Sequence, residues 1–424
     1  MPAMKVTLIN TADAGGGAPA ACMRLLRALR KKTPEARLLV QEKRTDNEAV
    51  VSINNGLIGR LRKNLNFFAE RIPFMLFHEA DKTVRFAFST ASTGTDISKE
   101  QVITQADVLH LHWTNQGFLS IKDLKRLLRL NKPVVWTLHD MWTFTGGCHY
   151  AGDCNHFEHH CGHCWMLNSN QAKDLSSYGW KHKNRLYERK DSITFVTCSH
   201  WLADMARKSS LLSGFRIETI PNPIDSTVFK PGDKAALRSK WGIGNEKHII
   251  LFGAANIMDR RKGLTYLIEA LELLKEQHVD ADDIAVVIFG KNKAFGTTML
   301  PFKAYELGII SSEKDIAEIY GLADVFVTPA IEDNLPNTVM EAMACGVPVV
   351  AFNTGGIPDM IDHQQNGYLA KYKSATDLAA GLNHVLTTAD RTQLAQAARQ
   401  KVLATFNDEV VASKYMAVYQ SLLK

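Results

Sequence analysis

The sequence predicts an α/β fold with two doubly wound domains, and three observations carry this prediction. Short apolar runs alternate with helical segments, which is typical of parallel strands covered by helices on both faces. The alternation stops at Pro221-Asn222-Pro223 and at Pro231-Gly232, and then starts again. The 424 residues, of which 46% are hydrophobic and 22% charged, suffice for two such cores without disulfides or metals.

The first half of the chain supplies the elements of an N-terminal domain, predicted over residues 1–225. A glycine-rich turn, Gly15 to Gly17, and a basic amphipathic helix from about Ala18 to Lys32 follow the first apolar run. The predicted strands lie at 5–10, 37–42, 108–112, 134–138, 195–198 and about 217–220.

The second half repeats this pattern and predicts a C-terminal domain over residues 236–405. Its strands are predicted at 248–252, 285–289, 325–328 and 347–352. The remaining residues, 406–424, form a last helix that is a candidate to pack back on the N-terminal domain. Ligands of doubly wound sheets bind beyond the carboxyl ends of the strands. We therefore expect functional residues on the loops and helix N-termini that follow strands.

Composition also narrows the setting of the protein. No run of about 18 apolar residues is present, so a membrane span is not expected. The N-terminal residues MPAMKVTLIN enter a strand pattern directly and do not resemble a signal peptide, so a cytoplasmic protein is expected. The net charge of +6 is modest, and no recognised module accompanies the basic clusters, so nucleic acid is not an expected partner.

The glycine-rich turn is the first candidate binding site. Residues 15–20 read G-G-G-A-P-A, which formally satisfies G-x-G-x-x-A, and Glu42 stands where a dinucleotide fold places its ribose-binding acid. An NAD-dependent oxidoreductase is therefore one alternative, although residues 11–14 make the turn longer than a dinucleotide turn. The backbone of Gly16 and Gly17, ahead of a helix, could bind an anion. A flexible turn without function is the other alternative.

The segment from 333 to 352 is the second candidate, because it predicts a short helix between two buried strands. Asn337 and Thr338 stand at the helix start, and Gly346 ends it. Backbone N–H groups at such a start suit a diphosphate. Glu341, about one turn in, could accept two hydrogen bonds from ribose hydroxyls; the alternative is an ordinary surface glutamate.

This segment resembles the signature of the family 4 retaining glycosyltransferases, which have the GT-B fold, with two Rossmann-like doubly wound domains facing a central cleft. Those enzymes carry two acids separated by seven residues, followed by E-A-x-A-x-G-x-P-V-V. Glu341 matches the second acid, and Asp333 replaces the first glutamate, with Glu332 one residue out of register. The resemblance extends to Ile220–Phe229 in the linker and to Thr354–Ile361.

The family also binds the diphosphate with an arginine and a lysine six residues apart. Lys262 matches the lysine, but Asn256 stands at the arginine position. Arg260 and Arg261 are the candidates for the missing charge, and we predict Arg261. His139 matches the family's strand-end histidine beside the sugar.

The resemblance implies a retaining transfer of a sugar from a nucleotide diphosphate sugar to an acceptor hydroxyl, without a cofactor. The expected acceptor is a saccharide or lipid-linked saccharide, as in polysaccharide or glycolipid biosynthesis. His139 and Asp333 are the implied catalytic residues at the donor sugar. The implied nucleotide-sugar-binding residues are Gly16, Gly17, Arg261, Lys262, Asn337, Thr338 and Glu341.

A cysteine-rich insertion is predicted at about 146–166. Cys148, Cys154, Cys161 and Cys164 lie among five histidines, and the last two cysteines form a C-x2-C pair. A structural zinc ion, reduced thiols and a disulfide or redox role are the alternatives.

Residues 57–77 predict a basic amphipathic helix with aromatic residues. Such a helix can lie on an anionic membrane, which would place the protein peripherally at the inner membrane face. The alternative is a helix that packs on its own sheet. Two further functions stay open from the sequence: a non-catalytic sugar-nucleotide-binding subunit and a sugar-nucleotide epimerase.

Overall fold

The computed structural model describes residues 4–54, 56–169, 171–188, 193–244, 246–277, 281–291, 299–388 and 390–423. The chain divides into two compact units, residues 1–221 with 412–424 and residues 222–411. Each unit is built on one sheet whose paired strands are parallel, and helices connect the strands. The predicted α/β class is confirmed.

The first unit contains a seven-stranded sheet. Its strands are β1 (Val6–Ala12), β2 (Arg37–Glu42), β3 (Val50–Ser52), β4 (Val108–Leu111), β5 (Val134–Leu138), β6 (Ile193–Thr197) and β7 (Arg216–Thr219). They are arranged in the order β3-β2-β1-β4-β5-β6-β7. Its helices are α1 (Gly17–Arg30), α2 (Gly56–Phe77), α3 (Gln101–Thr104), α4 (Ile121–Leu128), α5 (Leu175–Leu186) and α6 (His200–Lys208).

The second unit contains a six-stranded sheet. Its strands are β8 (His248–Asn256), β9 (Ile284–Lys291), β10 (Lys303–Gly308), β11 (Val325–Thr328), β12 (Val349–Phe352) and β13 (Gly367–Ala370), in the order β10-β9-β8-β11-β12-β13. Its helices are α7 (Lys234–Lys240), α8 (Leu264–Gln277), α9 (Glu313–Gly321), α10 (Asn337–Ala344), α11 (Ala375–Thr387) and α12 (Arg391–Thr405). A last helix, α13 (Asp408–Leu422), follows.

The central strands are apolar along their length because both of their faces are covered. Every residue of β1, β4, β5 and β11 is buried. The strand order reverses between β1 and β4 in the first sheet and between β8 and β11 in the second. These are the switch points at which doubly wound sheets bind ligands.

Residues 412–424, which include most of α13, belong to the first unit, where two buried tyrosines hold the helix. The Tyr419 hydroxyl lies 2.7 Å from Nδ1 of His110, and the Tyr415 hydroxyl lies 2.9 Å from Oγ1 of Thr137. These hydrogen bonds satisfy polar groups in the core of the sheet, where an unpaired group costs about 1–3 kcal/mol.

Three edge elements were not predicted from the sequence. β3 has only three residues, and it pairs with β2 alone. β10 lies at the edge of the second sheet, and its exposed and half-buried residues do not form an apolar run. β13, at the opposite edge, has four residues. An edge strand lacks one neighbour, so its sequence carries a weaker apolar signal than a central strand.

Candidate active site

A short turn after β8 carries the basic residues predicted to bind the diphosphate. The Asp259 carboxylate accepts the Arg261 N–H at 3.0 Å and begins the turn. Gly263 ends it with φ +70°, and a Cβ there would lie 1.9 Å from the carbonyl oxygen of Pro329. Only glycine permits this close approach. The Ile331 N–H also donates to the Arg261 carbonyl at 2.8 Å, so the turn is fixed against the loop after β11.

Lys262 and Asp333 meet as a result of this approach. The Lys262 Nζ lies 2.7 Å from Oδ2 of Asp333, and both side chains are largely buried. The loop after β12 supports Asp333 from the other side, because Gly355, with φ +55°, lies against the Asp333 carbonyl. The structure thus brings together the two residues that the resemblance assigns to the diphosphate and to the donor sugar.

Arg260 and Arg261 are the candidates for the positive charge that is missing at Asn256. Arg261 forms an ion pair with Asp259, with Nη2 and Oδ2 2.7 Å apart. Burial favours a higher pKa for Asp259, but the hydrogen bond and charge of Arg261 outweigh burial and lower that pKa. Arg260 is exposed. The assignment of Arg261 to the diphosphate therefore stays a prediction.

The start of α10 lies in the next loop of the same sheet. Pro336 occupies the N-cap position, and its side chain makes no capping hydrogen bond. Asn337, the first helical residue, has its Oδ1 3.3 Å from Nδ2 of Asn222, and Thr338 is half-buried. Glu341 is buried, and its Oε2 accepts the Tyr320 hydroxyl at 3.1 Å. Glu341 is therefore not the exposed surface glutamate of the alternative reading.

In the first unit, the glycine-rich turn connects β1 to α1. Gly15 has φ +91°, and the Arg44 Nη1 would lie 2.2 Å from a Cβ at that position. Gly16 is the N-cap residue and Gly17 the first residue of α1. Arg44 was missed by sequence reasoning, although it follows β2, the parallel neighbour of β1, and must therefore lie near the turn after β1.

Glu42, the acid expected beside the glycine-rich turn, forms ion pairs with two basic side chains. Its Oε2 lies 3.1 Å from Nη2 of Arg44 and 3.3 Å from Nζ of Lys63. Burial favours a higher pKa for Glu42, but the contacts with these two cations lower it. These ion pairs weaken the dinucleotide alternative, which needs this carboxylate for a ribose.

His139 follows β5 and is held by a second histidine. Its Nε2 lies 3.0 Å from Nδ1 of His112. Burial lowers the pKa of His139 to about 4, although the charge of Asp140 acts in the opposite direction. His139 is therefore a neutral hydrogen-bonding group at neutral pH, with a fixed ring.

The histidine contact extends through the core towards α13. The rings of His112 and His110 lie 4.3 Å apart, and Nε2 of His110 lies 2.7 Å from Oγ1 of Thr137. Burial lowers the pKa of His110 to about 3, and the nearby His139 adds to this effect. The polar chain therefore stays uncharged within the sheet.

A small cavity beside His139 contains polar atoms that the sequence did not single out. His112, Thr114, Asn115 and Thr143 line it. Among the described residues, the buried atoms His112 Nε2, Thr114 Oγ1, Asn115 Nδ2 and Thr143 Oγ1 have no hydrogen-bond partner. Buried polar atoms are normally satisfied by protein, water or ligand. This cavity at the carboxyl ends of β4 and β5 is therefore suited to polar groups.

Asp140 connects this strand end to the cysteine-rich insertion. Its Oδ2 accepts the indole N–H of Trp113 at 2.9 Å and lies 2.7 Å from Nδ1 of His149. Its Oδ1 accepts the Trp142 N–H at 2.8 Å. Burial favours a higher pKa for Asp140, but these contacts lower it. In the sequence, the signal for Asp140 was its position next to His139. That position did not predict its hydrogen-bond partners.

The four cysteines of the insertion line one small cavity as free thiols. Burial raises the pKa values of Cys148, Cys161 and Cys164 to about 12. Within the described parts of the chain, no three His, Cys, Asp or Glu side chains are arranged so that they could hold a metal ion. The zinc prediction therefore rests on the residue type and on the one cavity that Cys148, Cys154, Cys161 and Cys164 all line.

The geometry of both units agrees with comparisons against known proteins. Residues 15–228 match the family model "Glycosyltransferase Family 4", and residues 233–401 match "Glycosyl transferases group 1". The chain belongs to glycosyltransferase family 4, and its fold is of the GT-B type.

Particular relatives are distant and match part of their length. The chain is 25% identical over 213 residues to the N-acetyl-alpha-D-glucosaminyl L-malate synthase of Bacillus anthracis, covering 49% of this chain and 54% of that protein. It is 28% identical over 290 residues to the D-inositol 3-phosphate glycosyltransferase of Corynebacterium kroppenstedtii, covering 62% and 58%. The chain thus spans little more than half the length of these two curated relatives.

Solved structures match nearly the whole chain. Sucrose-phosphate synthase from Thermosynechococcus elongatus aligns with a TM-score of 0.68 and 18% identity, covering 99% of each chain. The Anabaena protein HepE, in complex with UDP and glucose, aligns with a TM-score of 0.63 and 16% identity, covering 99% of this chain and 100% of that chain. At these identities the matches establish the fold alone.

The buried histidines predict that mild acid destabilises the first unit. The folded pKa values, about 4 for His139 and about 3 for His110, lie below the ordinary value of 6.5. Between pH 6.5 and about 4, the unfolded chain binds these protons and the folded chain does not. The free energy of unfolding should be highest above pH 6.5 and fall with pH, by up to about 1.4 kcal/mol per unit for each histidine.

Urea unfolding between about pH 7 and pH 5 measures this slope above the range in which most carboxylates titrate. His139→Asn should reduce the slope by up to one proton, because it removes one of the buried histidines. A wild-type stability that does not change over this range would contradict the prediction.

Structural zinc is one of the alternatives for the cysteine-rich insertion, and it has a direct test. If the cysteines hold a zinc ion, untagged protein purified without added metal should contain about one zinc per chain by elemental analysis. Cys161→Ser should lose the metal, and Cys345→Ser, a buried thiol of the second unit, should retain it. Less than about a tenth of an equivalent in the wild type would leave reduced thiols as the correct interpretation.

Proposed function

We propose that this protein is a retaining glycosyltransferase that moves a sugar from a nucleotide diphosphate sugar to the hydroxyl of a saccharide or lipid-linked saccharide. The observation that carries the proposal is the contact between Lys262 and Asp333, 2.7 Å apart at the carboxyl edge of the second sheet. The bond that breaks joins the donor sugar to the diphosphate. A cation that binds the diphosphate and a carboxylate that binds the sugar are therefore needed side by side.

The chemistry requires charge stabilisation on the leaving diphosphate. Lys262 supplies a positive charge, and the start of α10 at Asn337 and Thr338 supplies backbone N–H groups and the positive end of the helix dipole. Pro336 adds no side-chain cap that would compete for this end. We therefore assign stabilisation of the diphosphate to these groups, without a metal ion, and name Arg261 as the additional cation.

Glu341 is proposed to bind the ribose. It lies one turn inside α10, and Tyr320 fixes the buried carboxylate through a hydrogen bond of 3.1 Å. A carboxylate has several acceptor positions and can accept hydrogen bonds from ribose hydroxyls. Glu341 lies one turn beyond the helix start, at which the diphosphate is proposed to bind. This position suits contact with the ribose and not with the sugar carbon that reacts.

The first unit is proposed to supply contacts to the sugar and the acceptor. His139 is neutral and fixed by His112, which suits a hydrogen bond to a sugar hydroxyl. The adjacent cavity offers the hydroxyl of Thr143 and the amide of Asn115. The glycine-rich turn at Gly16 and Gly17 is assigned to the diphosphate.

The names of similar proteins are consistent with such a donor. The solved Anabaena protein was crystallised with UDP and glucose and, in another structure, with UDP-glucose. Curated relatives include several D-inositol 3-phosphate glycosyltransferases. The UDP complexes of the Anabaena protein make a uridine diphosphate sugar the first donor to test.

Turnover with and without acceptor separates the alternatives. The protein should release nucleoside diphosphate and form a glycoside only when donor and acceptor are both present, and NMR should show the donor's anomeric configuration in the product. Conversion of the donor to another sugar nucleotide without acceptor would instead identify an epimerase. Binding without turnover across a panel of acceptors would identify a sugar-nucleotide-binding subunit.

Replacement of Glu341 tests the ribose assignment. Glu341→Gln preserves the shape and the contact with Tyr320 but removes the charge. Nucleoside diphosphate binding should weaken by about 1.5–3 kcal/mol, which is typical of hydrogen bonds to a charged group. The rate at saturating donor should change much less, because a contact shared by ground and transition states does not raise kcat.

Calorimetric titration with UDP and saturated turnover measure the two effects in parallel. Glu332→Gln is the matched control, since this acid lies one residue outside the family register, and it should leave UDP binding within about twofold. Unchanged affinity in Glu341→Gln would remove the ribose role of this helix.

A further inference from the structure

Helix α2 has an unusual orientation, because its apolar face points into solvent. Six of its large apolar residues recur every three or four positions, which places them on one face of a helix. Their exposed fractions range from 46% to 83% in the set Leu57, Leu61, Leu65, Phe68, Ile72 and Leu76. Single exposed apolar residues are common, but a continuous row along 22 residues, about 33 Å, marks an interaction surface.

The opposite face of α2 is held to the unit by buried polar groups. The Glu70 carboxylate accepts the Ser89 hydroxyl at 2.6 Å and the backbone N–H groups of Ala91 at 3.1 Å and Gly117 at 2.9 Å. A carboxylate held by three donors cannot turn outward without losing all three bonds. The rotation of the helix about its axis is thereby fixed.

A buried arginine adds to this attachment. Arg71 donates to the carbonyl oxygens of Arg85 at 2.5 Å and Phe88 at 2.9 Å. Phe74, one turn away, stacks on Phe88 with ring centroids 5.3 Å apart. The helix therefore keeps its polar anchors inside and its apolar row outside, so the row is not the packing face of this helix in its own unit.

The charges beside the apolar row are positive. Arg60 and Arg62 are exposed on the same helix. The one acidic residue within α2 is Glu70, which is buried. A surface that combines an apolar row with exposed cations is complementary to an anionic lipid surface, where apolar side chains enter the acyl boundary and cations meet head groups.

We propose that the outward face of α2, from Leu57 to Phe77, docks on an anionic lipid membrane with the helix axis in the membrane plane. Insertion across the membrane is a different arrangement; among the described helices, none has the length and apolar character to span a bilayer. The alternative occupant of this face, a second copy of this chain, is an outcome of the test below.

The attachment of α2 gives this docking a consequence for the candidate site. Gly117, which donates to Glu70, lies in the loop after β4, and the same loop carries Thr114 and Asn115 of the cavity beside His139. Membrane docking would hold this cavity close to the lipid head groups. That consequence, which rests on the proposed function, favours a lipid-linked acceptor; the docking itself does not depend on any activity.

Flotation of the full chain with vesicles tests the proposal. The wild type should float with vesicles of phosphatidylethanolamine and phosphatidylglycerol, float less with phosphatidylcholine alone, and be released in part by high salt. The double variant Leu61→Asp, Leu65→Asp should lose about tenfold or more in vesicle affinity, because it places two charges in the exposed row that would enter the membrane. Arg60→Glu should weaken binding to the anionic vesicles selectively.

Ile309→Asp is the matched control, because this residue of the second unit is 70% exposed and lies outside the row. It should float like the wild type. The double variant should retain the circular dichroism and the urea-unfolding midpoint of the wild type, which shows that it is folded. Failure of the wild type to float, equal flotation of the double variant, or a solution dimer that the double variant dissociates would overturn the proposal, and none of these outcomes requires turnover.

Discussion

The parallel pairing of the strands is the constraint on which the candidate site depends. In each sheet the named strands pair in parallel, so their carboxyl ends share one edge. In the second sheet β8 and β11 are neighbours, with Ile250 paired to Val325. The turn after β8 and the loop after β11 must therefore meet, and the glycine at 263 lets their backbones approach closely enough for Lys262 to reach Asp333.

The same constraint explains why much of the fold and part of the site were predictable from the sequence. Strands covered on both faces must be apolar throughout, so runs such as 134–138 and 325–328 stand out from the helical segments. Once the strands are known, loops after them are the places to look for chemistry. Glu341 was singled out in this way, whereas Asp333 and Lys262 were assigned through the resemblance to the family's motifs.

Side-chain partners could not be predicted, since they depend on tertiary contacts that spacing does not encode. Arg261 is drawn to Asp259 two residues away, so its proximity in sequence to Lys262 does not establish a shared role. Arg44 reaches Gly15 from the neighbouring strand end. The apolar periodicity of α2 defined a face but not its direction, because the same pattern suits a face that is buried or exposed; the anchors at Glu70 decide it.

The most direct test concerns Lys262, which lies in the turn after β8 in contact with Asp333 and which we propose to bind the diphosphate. Lys262→Ala should lower kcat/KM for the donor by about 10²-fold or more, the scale expected for loss of one charge stabiliser in a transition state. Lys275→Ala is the control, because this residue lies three turns along α8 and its Nζ donates to the Pro301 carbonyl. Donor turnover by Lys262→Ala should therefore be far below that of Lys275→Ala and of the wild type. A kcat/KM of Lys262→Ala close to that of Lys275→Ala would contradict the diphosphate site at the edge of the second sheet.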